Sequence, residues 1–348
     1  MKTFTKVTKG FFLTALMLLA VVTVNAQDEP AGFTFSGSVD TYFRTNLNAE
    51  NQVDLDDDGT YDAYQAPATS FANQPGFALG MVNLIAAYEG EKVGFVGDLV
   101  FGPRGTDAVF ASTTASSSIV NQLYVYWNVS DAVTLTAGNF NTFLGYEVIS
   151  PTANFNYSTS YMFSYGPFSH SGLKADIGLG DLSLMLGVFN PTDATDFNPT
   201  GDYVGGAQIG YGGAYLNFLF DDEFFQVDLT AGWDLSETFY LGVNATSASD
   251  NFYGAALYLQ NSFSESFAMG LRGEYFSDEG VGAITVGENV VDLTLSANYS
   301  VGNLTLIPEF RLDLYSEEDV VITDYSSPTD FETGSSLASF VVAGVYSF

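Results

Sequence analysis

The chain has 348 residues, with 41 acidic side chains against nine basic ones, a formal net charge of −32 and no cysteine. So acidic a surface excludes nucleic acid as a partner, and the lack of cysteine excludes disulfide staples. Disorder is excluded too, because 47% of the residues are hydrophobic and 16% aromatic, more apolar surface than a chain kept open by its charge carries.

Lys2, Lys6 and Lys9 precede the apolar run "FFLTALMLLAVVTV", which ends at Val24-Asn25-Ala26. At about 14 residues the run is short of the roughly 20 that cross a bilayer as a helix, and Val24 and Ala26 suit the cut of an export leader. The expected organisation is a signal peptide over 1–26 and one barrel domain over 27–348. The mature chain keeps six basic and all 41 acidic side chains.

From Phe33 onward the chain alternates with a period of two. Phe33, Phe35, Val39 and Phe43 share one face, while Thr34, Ser36, Ser38, Asp40 and Arg44 share the other. The same opposition recurs in later segments. Val93, Phe95, Leu99 and Phe101 oppose Asp98; Leu173, Ala175, Ile177 and Leu179 oppose Lys174 and Asp176; Phe225, Val227, Leu229 and Trp233 oppose Asp228. Further on, Phe267, Met269, Leu271 and Tyr275 oppose Arg272 and Glu274, and Leu304, Leu306, Phe310 and Leu312 oppose Glu309, Arg311 and Asp313.

The pattern predicts about sixteen strands, near 33–45, 77–89, 93–102, 119–129, 133–140, 169–179, 182–190, 203–210, 214–220, 224–233, 238–247, 251–261, 266–276, 289–300, 303–315 and 336–348. Tight turns such as "WNVSDAVTLTAG", "WDLSETFYLGVN" and "NSFSESFAMGLR" alternate with long connections. "YVGGAQIGYGGAYLNFLF" reads either as one long strand or as a Gly-Gly hairpin, and the hairpin keeps the later short turns on one side. The chain ends "SFVVAGVYSF", an alternating strand complete to its last residue, as expected of a strand that pairs with the first to remove both edges.

Within these strands the charged side chains share the polar register. A basic side chain facing lipid costs about 2–4 kcal/mol near the midplane, so in a membrane the charged face belongs inside. A soluble sandwich reverses the arrangement, and alternation by itself does not orient the faces. The leader, the scarcity of lysine, the abundant Phe and Tyr and the terminal strand decide for an all-β fold: a transmembrane antiparallel up-and-down β-barrel in the outer membrane.

At "AGNFNTFLGYEVISPTANFNYSTSYMFSYGPFSHSGLKADIGLG" (137–180) the sequence resembles the OmpL-like β-barrel porin family. The likeness rests on the Gly-x-Phe-x-Thr segment from Gly138 to Thr142, Gly145-Tyr146-Glu147, Asn156-Tyr157-Ser158, Gly166-Pro167 and His170-Ser171-Gly172, with "LRGEYFSD" and "PEFRLDLYS" further on. It spans most of the mature chain, apart from the acidic first loop. The resemblance implies a barrel and its location more firmly than any transport specificity.

The residues expected to line a pore are Asp40, Arg44, Asp98, Lys174, Asp176, Asp228, Arg272, Glu274, Asp292, Glu309, Arg311 and Asp313. Opposed charges across a water-filled constriction orient dipolar solutes, and the acidic excess favours cations; the same pairs could instead satisfy one another and plug the barrel. The connection from Asn141 to Tyr165 is long enough to fold into the lumen, with Glu147, Tyr157 and His170 as candidate constriction residues, or to form an ordinary outer loop. No G-x-S-x-G motif accompanies His170, the single histidine, so no hydrolase and no other enzyme is expected.

"DLDDDGTYD" matches much of a calcium loop, with Asp54, Asp56, Asp58, Thr60 and Asp62 as ligands, but Gln65 stands where the bidentate glutamate belongs. No cofactor is required. The leading expectation is a passive channel for small hydrophilic solutes, and the alternative is a non-conducting barrel that binds through its acidic loops. Expected partners are outer-membrane lipid and glycolipid, the insertion machinery at the C-terminal strand, and further copies in a homotrimer.

Overall fold

The computed structural model describes residues 32–348 apart from Asp57 and Asp62. The expected leader and the expected ligand Asp62 lie outside the described residues. Sixteen strands form one closed antiparallel barrel: β1 (Gly32–Asn46), β4 (Gly76–Glu89), β5 (Val93–Phe101), β6 (Val120–Ser130), β7 (Val133–Asn141), β8 (Ser169–Leu179), β9 (Leu182–Phe189), β10 (Val204–Tyr211), β11 (Ala214–Phe220), β12 (Phe225–Asp234), β13 (Phe239–Ala248), β14 (Phe252–Ser264), β15 (Phe267–Asp278), β16 (Asn289–Val301), β17 (Leu304–Tyr315) and β20 (Ser336–Ser347). Two hairpins outside the barrel wall complete the strands among the described residues, β2 (Gln52–Val53) with β3 (Ala63–Tyr64) and β18 (Val321–Ser327) with β19 (Asp330–Gly334). Two short helices, α1 (Pro103–Ala108) and α2 (Tyr161–Tyr165), belong to the connections. Neither the hairpins nor the helices were expected, since none repeats the strand period long enough to be read.

Closure runs through β1 and β20, with Ser38 opposite Ser347 and Asn46 opposite Ser339. Gly37 and Phe348 exchange a pair of 3.0 Å backbone hydrogen bonds, so the terminal residue is part of the ladder. The Gly-Gly segment is a hairpin. Gly212 and Gly213 take φ of 60° and 84° between β10 and β11, the left-handed pair that a two-residue turn matched to strand twist requires.

The strands show the expected parity except where bulges interrupt it, as in β4 at Gly80 and Met81 and in β6 at Asn121 and Gln122. Phe33, Phe35, Leu271, Leu295, Leu306 and Phe310 point outward and are exposed, while Asp40, Arg272, Asp292, Glu309 and Arg311 point inward and are buried. Tyr88, Phe95, Trp127, Trp233, Tyr299 and Tyr346 lie outward near the rim that carries the short turns, a belt of amphipathic rings at a membrane interface. The opposite rim carries the long connections.

Inside, apolar packing accompanies the charge. One cluster joins Tyr161 and Met162 to Phe252, Phe276 and Val290; another joins Phe71 and Phe163 to Met81 and Val100. Two more gather Tyr157 with Ile307, Val341 and Ala343, and Phe143 with Met185, Phe189 and Leu219. Each pairs inward-facing wall residues with residues from the long connections. Toward that rim the inner face is therefore partly apolar, because protein rather than water covers it.

Candidate pore constriction

Between β7 and β8 the chain turns into the lumen and runs along the wall. Thr142 Oγ1 and His170 Nε2 are 3.0 Å apart, and the Phe143 ring packs on His170 and Phe189. The Gly145 amide donates to Asp228 at 3.0 Å. Tyr146 stacks on Tyr258 with ring centroids 4.0 Å apart, and its hydroxyl donates to that of Tyr240.

The returning leg is held through its backbone. Glu309 accepts the amides of Tyr157 at 2.7 Å and Ser158 at 3.1 Å; Glu274 accepts those of Tyr161 and Met162, both at 2.8 Å. Glu147, from the leg that enters, accepts the Ser160 amide at 2.7 Å. The Ser160, Tyr161 and Met162 amides are the orphan amides at the start of α2, where a carboxylate is favoured by hydrogen bonding and by the helix dipole. Ser160 caps the same helix by accepting from Phe163. The carbonyls point the other way: Ser158 receives Arg272 and Thr159 receives Arg311, each at 2.8 Å.

The two arginines knit this leg to the wall. Arg272 pairs with Glu147 at 2.7 Å and Asp292 at 2.8 Å, and Arg311 pairs with Asp292 at 3.0 Å and Asp313 at 2.7 Å. All five side chains are buried. Buried charges are tolerated only when nearly every donor and acceptor is matched, and planar guanidinium forks make such matching geometrically possible.

All twelve residues expected to line a pore are on the inward register. Ten are buried; Lys174 and Asp176 form a 2.8 Å pair that is half-exposed toward the short-turn rim. Asp40 accepts the Met81 amide at 2.9 Å and the Tyr157 hydroxyl, folded over Gly80, where any side chain would collide with its carboxylate. Arg44 donates to the Gln65 carbonyl and to Asn46. Asp98 collects the side-chain amides of Asn83, Asn121 and Gln122, and Asp228 those of Asn217 and Asn244. Glu147 and Tyr157 lie on the connection folded into the lumen and His170 at its root on β8, and all three are buried.

Sequence reasoning missed Arg104. It stands on α1, in a second connection that bends inward, and donates to the carbonyls of Ile149 at 2.9 Å and Tyr157 at 3.3 Å, with its guanidinium 4.3 Å above the Phe71 ring. It thus grips both legs of the constriction. Its flanking Gly-Pro gave no strand period, yet a basic residue is so rare in this chain that its position was itself a signal.

The connection after β9 braces the root of the constriction, where Asp193 accepts the amides of Phe168 and Ser169 at 2.8 Å each. Burial pushes the Asp193 carboxyl up to about 6, against these hydrogen bonds, which favour its charge. The docked connection therefore holds its proton more tightly than the undocked one, and the benefit to docking fades as pH rises through about 6. After correction for intrinsic rates, amide exchange at Phe168 and Ser169 is expected to be about tenfold better protected at pH 5 than at pH 7.5. Asp193→Asn should flatten that dependence; a wild-type protein already flat would refute the assignment.

On the outer loop, Asp54, Asp56 and Asp58 bring carboxylate oxygens within 4.8 Å of one another. They are hard donors of the kind calcium takes. Part of their capacity is used locally, since Asp54 accepts the Gly59 amide at 2.8 Å and Asp58 the Thr60 amide at 2.8 Å.

A closed sixteen-strand barrel with an apolar exterior, an aromatic belt, alternating short and long connections and one connection folded inside is a porin-type barrel of the outer membrane. The chain belongs to the family described as "Putative beta-barrel porin-2, OmpL-like", whose model matches residues 32–348. Its fold is similar to that of a loop-deletion mutant of OmpT from Vibrio cholerae (11% identity, 92% of this chain and 100% of that one, TM-score 0.52). It is also similar to OmpF of Salmonella typhi in complex with daunomycin (10%, 91% and 97%, TM-score 0.55) and to a porin mutant of Rh. blastica (11%, 91% and 100%, TM-score 0.52). No curated protein matches. In such barrels the short turns are periplasmic and the long connections external.

Proposed function

We propose that the protein is a narrow passive channel for small hydrophilic solutes that prefers cations and carries out no chemical step. The observation that carries this reading is the distribution of basic charge around the constriction. Arg44, Arg104, Arg272 and Arg311 are buried and Lys174 is paired. The external segments 47–75, 190–203, 221–224, 249–251, 279–288 and 316–335 contain no lysine, arginine or histidine. Charge that meets water at the mouth is thus acidic, which concentrates cations and repels anions. Export through the leader, reception of β20 by the insertion machinery and assembly as a homotrimer belong to the same reading.

A second reading, a barrel that does not conduct at rest, is favoured by the four apolar clusters that fill the space between connections and wall. Single-channel recording of the refolded mature chain separates the two. Stepwise currents with a cation-selective reversal potential in a salt gradient are expected. An inserted, folded barrel that stays silent would leave the closed reading, and anion selectivity would contradict the charge argument.

A further inference from the structure

A recess of about 380 Å³ opens at the external mouth, between the β1–β4 and β15–β16 connections and the β18 hairpin. Tyr64, Thr285, Tyr315, Glu317, Val321 and Leu337 are among its lining residues. Its volume is that of a small-molecule site, and its half-open lining is almost equally polar and apolar.

The walls are fixed by hydrogen bonds rather than left to loop motion. The Gln65 side chain donates to the carbonyls of Glu50 at 2.8 Å and Ile322 at 2.9 Å and accepts the Ile322 amide at 2.7 Å, tying the first connection to the hairpin. Asp278 accepts the amides of Gly280, Gly282, Ala283 and Ile284, shaping the opposite wall. On the inner side Tyr315 and Tyr161 share a 3.1 Å hydroxyl contact, so the recess adjoins the clamped leg of the constriction.

The lining defines the occupant's chemistry. Glu317 is half-buried, whereas its neighbours Glu318 and Asp319 are exposed; no basic residue lines the recess. Tyr64 and Tyr315 supply aromatic rings, which attract cations through their faces. An anion here would meet a carboxylate with nothing to compensate it, and a purely apolar guest would leave that carboxylate desolvated and unpaired.

We propose that the recess is a binding site for a small organic cation bearing an apolar ring or chain, its charge against Glu317 and its apolar part against Val321, Leu337 and the tyrosines. The site rests on the recess geometry, not on conduction, so it stands or falls separately from the channel reading.

The test is calorimetric titration of the folded full-length mature barrel in a maltoside detergent, with benzyltrimethylammonium as probe and benzyl alcohol and benzoate as controls. Saturable binding of the cation alone is expected. Glu317→Gln should weaken it about tenfold and Tyr64→Ala several-fold, with folding of each variant checked by its heat-modifiable gel mobility. Glu318→Gln, on an exposed neighbour, should leave the affinity unchanged. Absence of saturation, equal binding of benzyl alcohol, or equal losses in the two glutamate variants would each overturn the site.

Discussion

Exchanging Arg272 for methionine is expected to release the returning leg of the constriction while the barrel itself stays closed. The guanidinium reaches Glu147, Asp292, Thr294 and the carbonyls of Ser158 and Thr159. Removing it leaves Glu147 with one backbone amide and takes a counter-charge from Asp292. Loss of one partner from a buried ion pair costs about 3–5 kcal/mol. The wall ladders do not depend on this side chain, so the cost falls on the connection. Faster proteolysis within 142–168 and a larger, noisier single-channel current than wild type are the expected readouts. Arg272→Lys keeps the charge but loses the fork, and should fall between the two. Unchanged protease resistance together with an unchanged current would mean that the clamp is carried by the apolar clusters instead.

The second large effect belongs to the outer face. Leu295 points outward from the middle of β16, between the inward, buried Thr294 and Ser296. Leu295→Arg is expected to cost about 2–4 kcal/mol of folding free energy in a bilayer, the depth-dependent cost of a basic side chain near the midplane. Ser300→Arg, five residues along the same strand on the inward register, should be tolerated because that end of the lumen is only half-covered. Equilibrium denaturation in lipid vesicles reads both. Equal tolerance of the two substitutions would contradict the facing of the whole strand.

These two substitutions also mark how far the sequence could be read. Leu295 was legible because lipid imposes one rule on every strand: apolar side chains outward at every second residue, repeated often enough to fix register and strand number. Arg272 was legible as inward-facing, but not as the holder of a connection more than a hundred residues away. Nothing local in "NFNYSTSYMF" announces that its amides meet Glu274 and Glu309, because such bonds depend on where the barrel brings the segments together. Phe276, Val290 and Leu219 lie on the inner face, where a water-filled lumen calls for polar residues, and only the folded-in connections account for them. The acidic loop shows a different limit, since matching ligand spacing does not reveal that Asp54 and Asp58 bind their own loop's amides.

The placement of the clamp also sets an order of assembly. Tyr157 and Glu309 are 152 residues apart in the chain, and Tyr161 and Glu274 are 113 apart. The segment that narrows the lumen is synthesised before the residues that hold it, and closing loops of that length is entropically slow. Until β15 to β17 join the growing sheet, the returning leg lacks Glu274, Glu309, Arg272 and Arg311, and only its contacts to earlier residues such as Asp40 and Arg104 can hold it. The clamp is therefore completed late, by the last quarter of the chain, and a lesion there is expected to leave the returning leg with only its earlier contacts.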